Sequence, residues 1–547
     1  MPENHTIQSN QPFDAVTLEI LWRRAISAVD EAAKALRRTS FSTLVNESND
    51  FACVLTDAAG QSLAQNTESI PSFIGTLPVT VKAFIKEIGL GNMAPGDVLI
   101  TNTPWIATGH LNDITVAKPI FHQGRVVAFA ASTAHAPDIG GKVRSVESRE
   151  VFEEGFHIPI MKFMTAGEPD RTFLKLLRAA VRTPDQTEGD LWAQITGLEL
   201  LEKRLGDLLS EYGLGDLEVF AGDILGRCER AMRAAIAKLP DGTYTHTFQT
   251  DGLEEPFTYK IAITVKGDEI HVDYAGTSPQ VDRAINCTMT YTFAMTAYAL
   301  KCALLPNLPN NEGIFRAIEV AAPEGSIVNP RFPAAVGGRM ATGHYLPVAV
   351  FGALAPVLPD RLIAASGSPL WSMIQTGLRA NGQTYANVLF FNGGMGATDG
   401  NDGQSTYAWP SNVSNVPVEL IERNSPLFVH RKALRPGSGG AGRYRGGLGQ
   451  DIEFEVTSET PVGIIFMAER CRFPAPGIKG GRAGAPGQVR IDGASVDYRK
   501  NTVLQKGQRV LLSTPGGGGI GDPRERDAGA ADRDRLEGYT GEAPPQT

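Results

Sequence analysis

Two short loops carry the residue types that bind metals. Gly109-His110-Leu111-Asn112-Asp113 and Ala134-His135-Ala136-Pro137-Asp138-Ile139-Gly140-Gly141 hold two of only nine histidines in the chain, each among acids and glycines. Imidazole nitrogen and carboxylate oxygen are the ligand set for Zn, Mn or Fe(II). Two imidazoles with carboxylates and an open position make a centre that can bring the pKa of bound water to about 7. The His110-x-x-Asp113 spacing puts both side chains on one side of a turn. His135 can join them if the strand before it runs beside the one ending near Thr101. The same pattern also fits loop histidines held by ordinary hydrogen bonds, and spacing alone does not choose between the two.

Further acids stand nearby in the chain. Asp50, in Asn46-Glu47-Ser48-Asn49-Asp50, is at the entry to the first strand and is either another carboxylate for the ion or plain turn polarity. Glu153 and Glu154, in VFEEGFHIP, could supply an orienting carboxylate or a substrate contact, since acids commonly hold ligand histidines in place. They equally fit an exposed acidic helix end.

Other chemistries find no support. GSGGAGRYRGGLG and TPGGGGIGDP contain no G-x-x-x-x-G-K-[ST], and the strand-like DIEFEV after the first of them breaks the strand-glycine-helix order that a dinucleotide site needs. These stretches predict tight turns at a crowded backbone site or an interface, and this chain is expected to bind no ATP. No G-x-S-x-G elbow is present, and no cysteine sits in a recognisable nucleophile motif, which disfavours an acyl-enzyme.

The elements that must position these residues can be read in outline. Apolar residues recur at three- and four-residue steps over 15–38 after Asp14, predicting an amphipathic helix. FACVLTD, GDVLITNTP and GRVVAFAAST read as strands, so the polar clusters at 101–113 and 135–141 lie just past strand ends. Leucines from Leu191 to Leu208, followed by Phe220, Ile224, Cys228 and Met232, predict a helical hairpin hinged near Gly213-Leu214-Gly215. Strand patterns return from 241, with one helix at about 288–304. The expected fold class is α+β: a mixed α/β part carrying the metal site (14–170), a helical insert (171–238), a β-rich part with packed helices (239–523) and a mobile polar tail (524–547).

The chain of 547 residues is long enough for about two to four domains. Its formal charge of −9 argues against a nucleic-acid or anionic-membrane partner. The five cysteines lack any Cys-x-x-Cys and fit free thiols in a reducing compartment. The start of the chain is polar and lacks a signal-peptide pattern, and no apolar run is long enough to span a membrane, so the expected location is the cytoplasm.

Taken together, RTSFSTLVNESNDFACVLTDAAGQSLAQ, IPSFIGTLP, GDVLITNTPW, TGHLNDITV, AHAPDIGG and EVFEEGFHIPIMK in the first half resemble the hydantoinase B/oxoprolinase family. VDYAGTSPQV, SNVPVELIE, SGGAGRYRGGLGQ and TPGGGGIGDP continue the likeness in the same order to about residue 523. The resemblance implies a metal-binding subunit that works in a hetero-oligomer with a hydantoinase A-type ATPase. That partner would use the ATP to phosphorylate a cyclic amide, which this subunit would hydrolyse with a metal-bound hydroxide. It implies one divalent metal (Zn, Mn or Fe) on Asp50, His110, Asp113 and His135, with Glu154 as general base or orienter and Phe73 and Asp138 at the substrate. Phe73 and Thr103 replace the His and Asp common in the family, and Phe73 points to a more apolar pocket. The same family includes acetone and acetophenone carboxylase subunits, an alternative that the sequence does not separate. A third reading, a non-catalytic scaffold for the ATPase, predicts no bound metal.

Overall fold

The computed structural model describes residues 13–142, 145–379 and 381–541. Helix α1 (Ala15–Thr39) starts where predicted because the Asp14 carboxylate accepts from the Val16 and Thr17 amides. Its buried stripe of Leu18, Leu21, Trp22, Ala25, Val29, Ala32 and Leu36 follows the helical period. The Trp22 indole N–H is satisfied by the Leu63 carbonyl at 2.9 Å.

After the short α2 (Thr43–Asn46) comes the sheet that builds the site. It comprises β1 (Phe51–Asp57), β2 (Ser62–Gln65), β3 (Val98–Thr101), β4 (Asp113–His122), β5 (Arg125–His135), β6 (Met161–Thr165) and β7 (Glu168–Pro169). They lie in the order β2-β1-β5-β4-β3-β6-β7, and every pairing is antiparallel. The expectation that the strand ending at His135 adjoins the one ending near Thr101 is corrected here, because β4 lies between them. Its sequence, DITVAKPIFH, hides a strand behind polar residues that find partners: Thr115 Oγ1 donates to Thr133 Oγ1 at 3.1 Å, and Lys118 reaches Glu202 at 3.0 Å.

Both faces of the sheet are covered. Cys53, Leu55, Ile114, Val116, Ala128 and Ala130 join one apolar cluster with the helices. Ala52, Val54, Leu99, Ala117, Phe129 and Ala131 join a second cluster with Leu370, Val388, Phe390 and Val413 of the C-terminal half. The alternation of strand side chains explains the split. It also aims Asp50, Asp113 and His135, which share the parity of the second set, at the C-terminal half.

Helix α3 (Thr76–Ile88) packs on the second face. The helical insert is α4 (Arg171–Ala180), α5 (Pro184–Tyr212) and α6 (Glu218–Ile236). Gly213 ends α5 with φ 65°, the left-handed conformation that glycine accepts best, at the predicted hinge.

The rest is β-rich. Strands β8 (Gly242–Thr250), β9 (Phe257–Lys266), β10 (Glu269–Asp273) and β11 (Ile318–Ala321) form a sheet, with α7 (Met289–Leu304), α8 (Met340–Gly343) and α9 (Leu346–Leu354) beside it. Two further sheets use β12 (Trp371–Leu378), β13 (Thr384–Phe391), β14 (Leu427–Leu434), β15 (Gln450–Val456), β16 (Val462–Met467), β17 (Gln488–Ile491), β18 (Ala494–Ser495), β19 (Thr502–Leu504) and β20 (Arg509–Ser513); the helix α10 (Val418–Asn424) leads into β14. The fold is α+β, as the sequence predicts.

The glycine-dense segments lie against one another as bare backbone. Gly447 N donates to Met395 O at 2.8 Å and Gly517 N to Gly447 O at 3.0 Å. A Cβ on Gly447 would fall 1.9 Å from Gln404 O, so these glycines serve close approach. The segment expected as a mobile tail holds a helix, α11 (Ala528–Leu536), within its described part. Its Asp534 is paired with Arg526 at 2.5 Å and Arg445 at 3.3 Å, a docking that composition could not reveal. All five cysteines are free thiols. Among the described residues no helix is long and apolar enough to cross a membrane.

Candidate metal centre

The site grows out of strand register. Asp113 opens β4 and His135 closes β5, and the two are direct cross-strand partners. On the other side of β5, Phe51 pairs with Ala134, and the His135 amide donates to the Asp50 carbonyl at 3.1 Å. Three strand ends thus line up Asp50, His135 and Asp113 in a row, and the turn before β4 folds His110 over them.

The resulting cluster is tight and dry. Asp113 Oδ1 lies 3.0 Å from His135 Nδ1 and 2.7 Å from His110 Nε2. One ligand atom from each of His110, Asp113 and His135 falls within 4.8 Å of the others, and all three residues are buried. Asp50 stands at the margin, its Oδ2 3.7 Å from His135 Nδ1.

The donor set fits a cation. His110 Nδ1 lies 3.1 Å from the Gly337 carbonyl. A carbonyl only accepts, so Nδ1 carries the proton and Nε2 presents its lone pair. That lone pair meets the Asp113 carboxylate oxygen at 2.7 Å, an opposition that a positive ion between them would relieve. A proton does not serve, because burial first, and then the Arg339 charge, push the His110 imidazole down to about 3. His135 Nε2 is buried with no hydrogen-bond partner among the described residues, and His110 Nε2 meets only the Asp113 carboxylate, the pattern of imidazoles placed to ligate a cation.

Arg339 fixes the carboxylate. Its Nη2 donates to Asp113 Oδ2 at 2.6 Å and the Thr108 hydroxyl donates to the same oxygen at 2.5 Å, leaving Oδ1 for the histidines. Burial alone would raise the Asp113 pKa, but the paired Arg339 guanidinium holds it well below the usual carboxylate range. The guanidinium lies 4.4 Å from the Tyr291 ring centroid. It passes where Gly109, at φ 95°, has no side chain: a Cβ there would sit 2.7 Å from Arg339 Cδ.

Glu154 is buried, and its Oε1 accepts from the Val336 amide at 2.9 Å and the Gly337 amide at 2.6 Å. It therefore braces the peptide whose carbonyl orients His110, which is the orienter arrangement. Phe73 lines the cavity over the cluster, with Ile70, Leu370, Phe390 and Val413 completing an apolar wall. The cavity holds about 30 Å³ beside the cluster, room for an ion or a water.

Asp138, expected at the substrate, is elsewhere. Its carboxylate accepts from the Gly140 amide at 3.2 Å and from Arg182 Nη1 at 2.9 Å, and it does not line the cavity. The loop glycines and Arg182 capture it as a structural brace. Thr103, another position noted in the sequence, bonds His157 at 2.9 Å. Sequence reasoning missed Arg339, His344 and Tyr291, all of which line the cavity. The signal available was Gly337-Gly338-Arg339 with His344 close behind it.

The chain is similar to known proteins over nearly its whole length. The family described as Hydantoinase B/oxoprolinase matches residues 14–523. An uncharacterised protein of Methanocaldococcus jannaschii is 34% identical over 94% of this chain and 92% of its own length. The caprolactamase subunit beta of Pseudomonas jessenii is 29% identical over 94% of this chain and 92% of that protein. The crystal structure of the ATP-dependent caprolactamase from the same organism superposes with a TM-score of 0.87 at 28% identity, covering 97% of this chain and 95% of that one. A nucleotide-free acetone carboxylase structure shares the fold, with a TM-score of 0.87 at 20% identity over 96% of this chain and 78% of that one.

Proposed function

The chain belongs to the hydantoinase B/oxoprolinase family, and on that premise we propose that it is the metal-binding subunit of an ATP-dependent cyclic amide hydrolase. The observation that carries the proposal is the pair of buried imidazoles closing on one carboxylate oxygen, with His135 Nε2 left without a hydrogen-bond partner among the described residues. A scaffold has no use for that arrangement.

Asp50, His110, Asp113 and His135 would hold one divalent ion, Zn, Mn or Fe. Bound there, it would supply a Lewis acid able to bring the pKa of a water to about 7. The chain's own residues do the rest. Arg339 and Thr108 hold Asp113 so that one oxygen faces the histidines. Glu154 holds Gly337 and through it His110. The wall of Ile70, Phe73, Leu370, Phe390 and Val413 keeps bulk water from an activated substrate.

Amide resonance makes the ring carbonyl a poor electrophile, and O-phosphorylation removes that protection. A hydantoinase A-type ATPase subunit would make the phosphorylated species, in keeping with relatives that are named as subunits. Overall, one water adds across the ring C–N bond, the nitrogen taking up a proton and the carbon an oxygen, and a second water takes the phosphoryl group as phosphate.

The test is to co-purify the chain with its ATPase and supply hydantoin, 5-oxoproline or a lactam with ATP and labelled bicarbonate. The proposal expects ring-opened amino acid without label, one metal per chain, and loss of turnover in His110→Ala. Label in the product would establish a carboxylase instead. Full activity in a metal-free preparation would refute the metal centre.

A further inference from the structure

The cavity over the metal cluster has a polar side that the proposed hydrolysis has not yet used. It is formed by the two ends of α8: Arg339 precedes this single turn and His344 follows it. Both line the cavity together with Ser72 and Ser411, opposite the His110, Asp113 and His135 cluster. Both are buried, at 5% and 3% exposure, and both lie against Tyr291, whose ring centroid is 6.4 Å from that of His344.

The hydrogen bonds of His344 define its tautomer. The Leu370 amide donates to His344 Nδ1 at 3.3 Å. A backbone N–H can only donate, so Nδ1 holds the lone pair and the proton sits on Nε2. Burial first, and then the nearby Arg339, push this imidazole down to about 3, so it stays neutral. Among the described residues the hydrogen bond of the His344 ring is the one at Nδ1, which leaves Nε2–H for the cavity that the ring lines. Arg339 spends Nε on Thr108 and Nη2 on Asp113, while Nη1 has no hydrogen-bond partner among the described residues. One cationic and one neutral donor thus remain for whatever enters the cavity.

The donors say what that is. A guanidinium N–H and a neutral imidazole N–H lining one cavity suit an oxygen acceptor that carries negative charge.

We propose that Arg339 and His344 form an oxyanion subsite facing the metal centre, which takes the phosphoryl oxygens of the activated amide or the carboxylate of the opened ring. This rests on the proposed function. The subsite is built to position its ligand. His344 supplies direction and Arg339 supplies charge.

Two variants at one position test it. His344→Asn keeps an acceptor where Nδ1 meets the Leu370 amide and deletes the cavity donor. His344→Gln keeps a donor where Nε2 stands. Inorganic phosphate and acetate are titrated calorimetrically into the metal-loaded full chain, with metal content measured on the same samples. The expected result is binding about tenfold weaker in His344→Asn, the loss of one hydrogen bond to a charged group. His344→Gln should match the parent chain, with metal content equal in all three. Preference for phosphate would assign the subsite to the phosphoryl group, and preference for acetate to the product carboxylate. Unchanged binding in His344→Asn, or an equal loss in both variants, would overturn the proposal. Should the chain take up no metal, the proposed function fails separately. The same titration on the apo chain then still decides the subsite by the same comparison.

Discussion

Replacing Glu154 with Gln separates two roles that the same carboxylate could play. The side chain is buried, and its Oε1 takes two backbone amides, from Val336 at 2.9 Å and Gly337 at 2.6 Å. The next atom in the path, the Gly337 carbonyl, receives the His110 ring. Gln preserves an acceptor of the same shape and removes the charge. Hydrogen bonds to a charged group contribute about 1.5–3 kcal/mol and neutral ones about 0.5–1.5 kcal/mol, so the pair of bonds weakens by roughly 1–3 kcal/mol. Part of that loss reaches His110 as a looser ring. Supporting residues of this kind typically change metal affinity by about 10- to 100-fold. We expect Glu154→Gln at the lower end and Glu154→Ala, which strands both amides, at the upper end. The assay is competition for zinc against a chromophoric chelator, followed by turnover in the reconstituted complex at saturating metal. Turnover should return once the site is filled. If Glu154→Gln binds metal like the parent chain yet stays inactive at saturation, the carboxylate moves a proton in the reaction and the bracing argument is wrong.

Three other outcomes follow from the same geometry. Asp113→Asn removes the counter-charge of the buried Arg339 and should cost about 3–5 kcal/mol of stability together with metal binding, measured by chemical denaturation with and without zinc. His110 and His344 are both pushed down to about 3 by burial and Arg339, whereas in the unfolded chain each titrates at about 6.5. Between those values the unfolded state binds more protons, so the apo chain should be most stable above pH 6.5 and lose stability as pH falls toward 3. Each histidine contributes a slope of up to about 1.4 kcal/mol per pH unit, and a flat profile in His344→Asn and parent alike would contradict this. Asp138→Asn should lower the melting temperature through its lost Arg182 pairing while leaving KM unchanged, whereas a raised KM with unchanged stability would return Asp138 to the substrate.

How much of this was legible depended on distance along the chain. The first helix, the hinge at Gly213 and the His110-x-x-Asp113 turn are local, and local periodicity or spacing exposes them. The meeting of Asp50, His135 and Asp113 is a matter of register. It was obscured because β4 buries Thr115 and Lys118 and carries Pro119, so its alternation did not read as a strand. Asp138 shares a loop and a residue type with the cluster, which is why the sequence alone groups it with those residues. Only the geometry of Arg182, brought from the helical insert, shows what holds it. Arg339 and His344 come from the C-terminal half, and no pattern within a window ties them to His110. The glycine segments were read correctly as crowded backbone, since a sequence without side chains announces close approach even when its partner is unknown.

The division of the centre between two halves of the polypeptide has a consequence for biosynthesis. The ligands emerge from the ribosome early, but the peptide that seats His110 and the guanidinium that seats Asp113 arrive only with residues 336–339. A nascent chain therefore carries loose imidazoles without a finished socket. The cluster can reach its final geometry only once translation has passed residues 336–339.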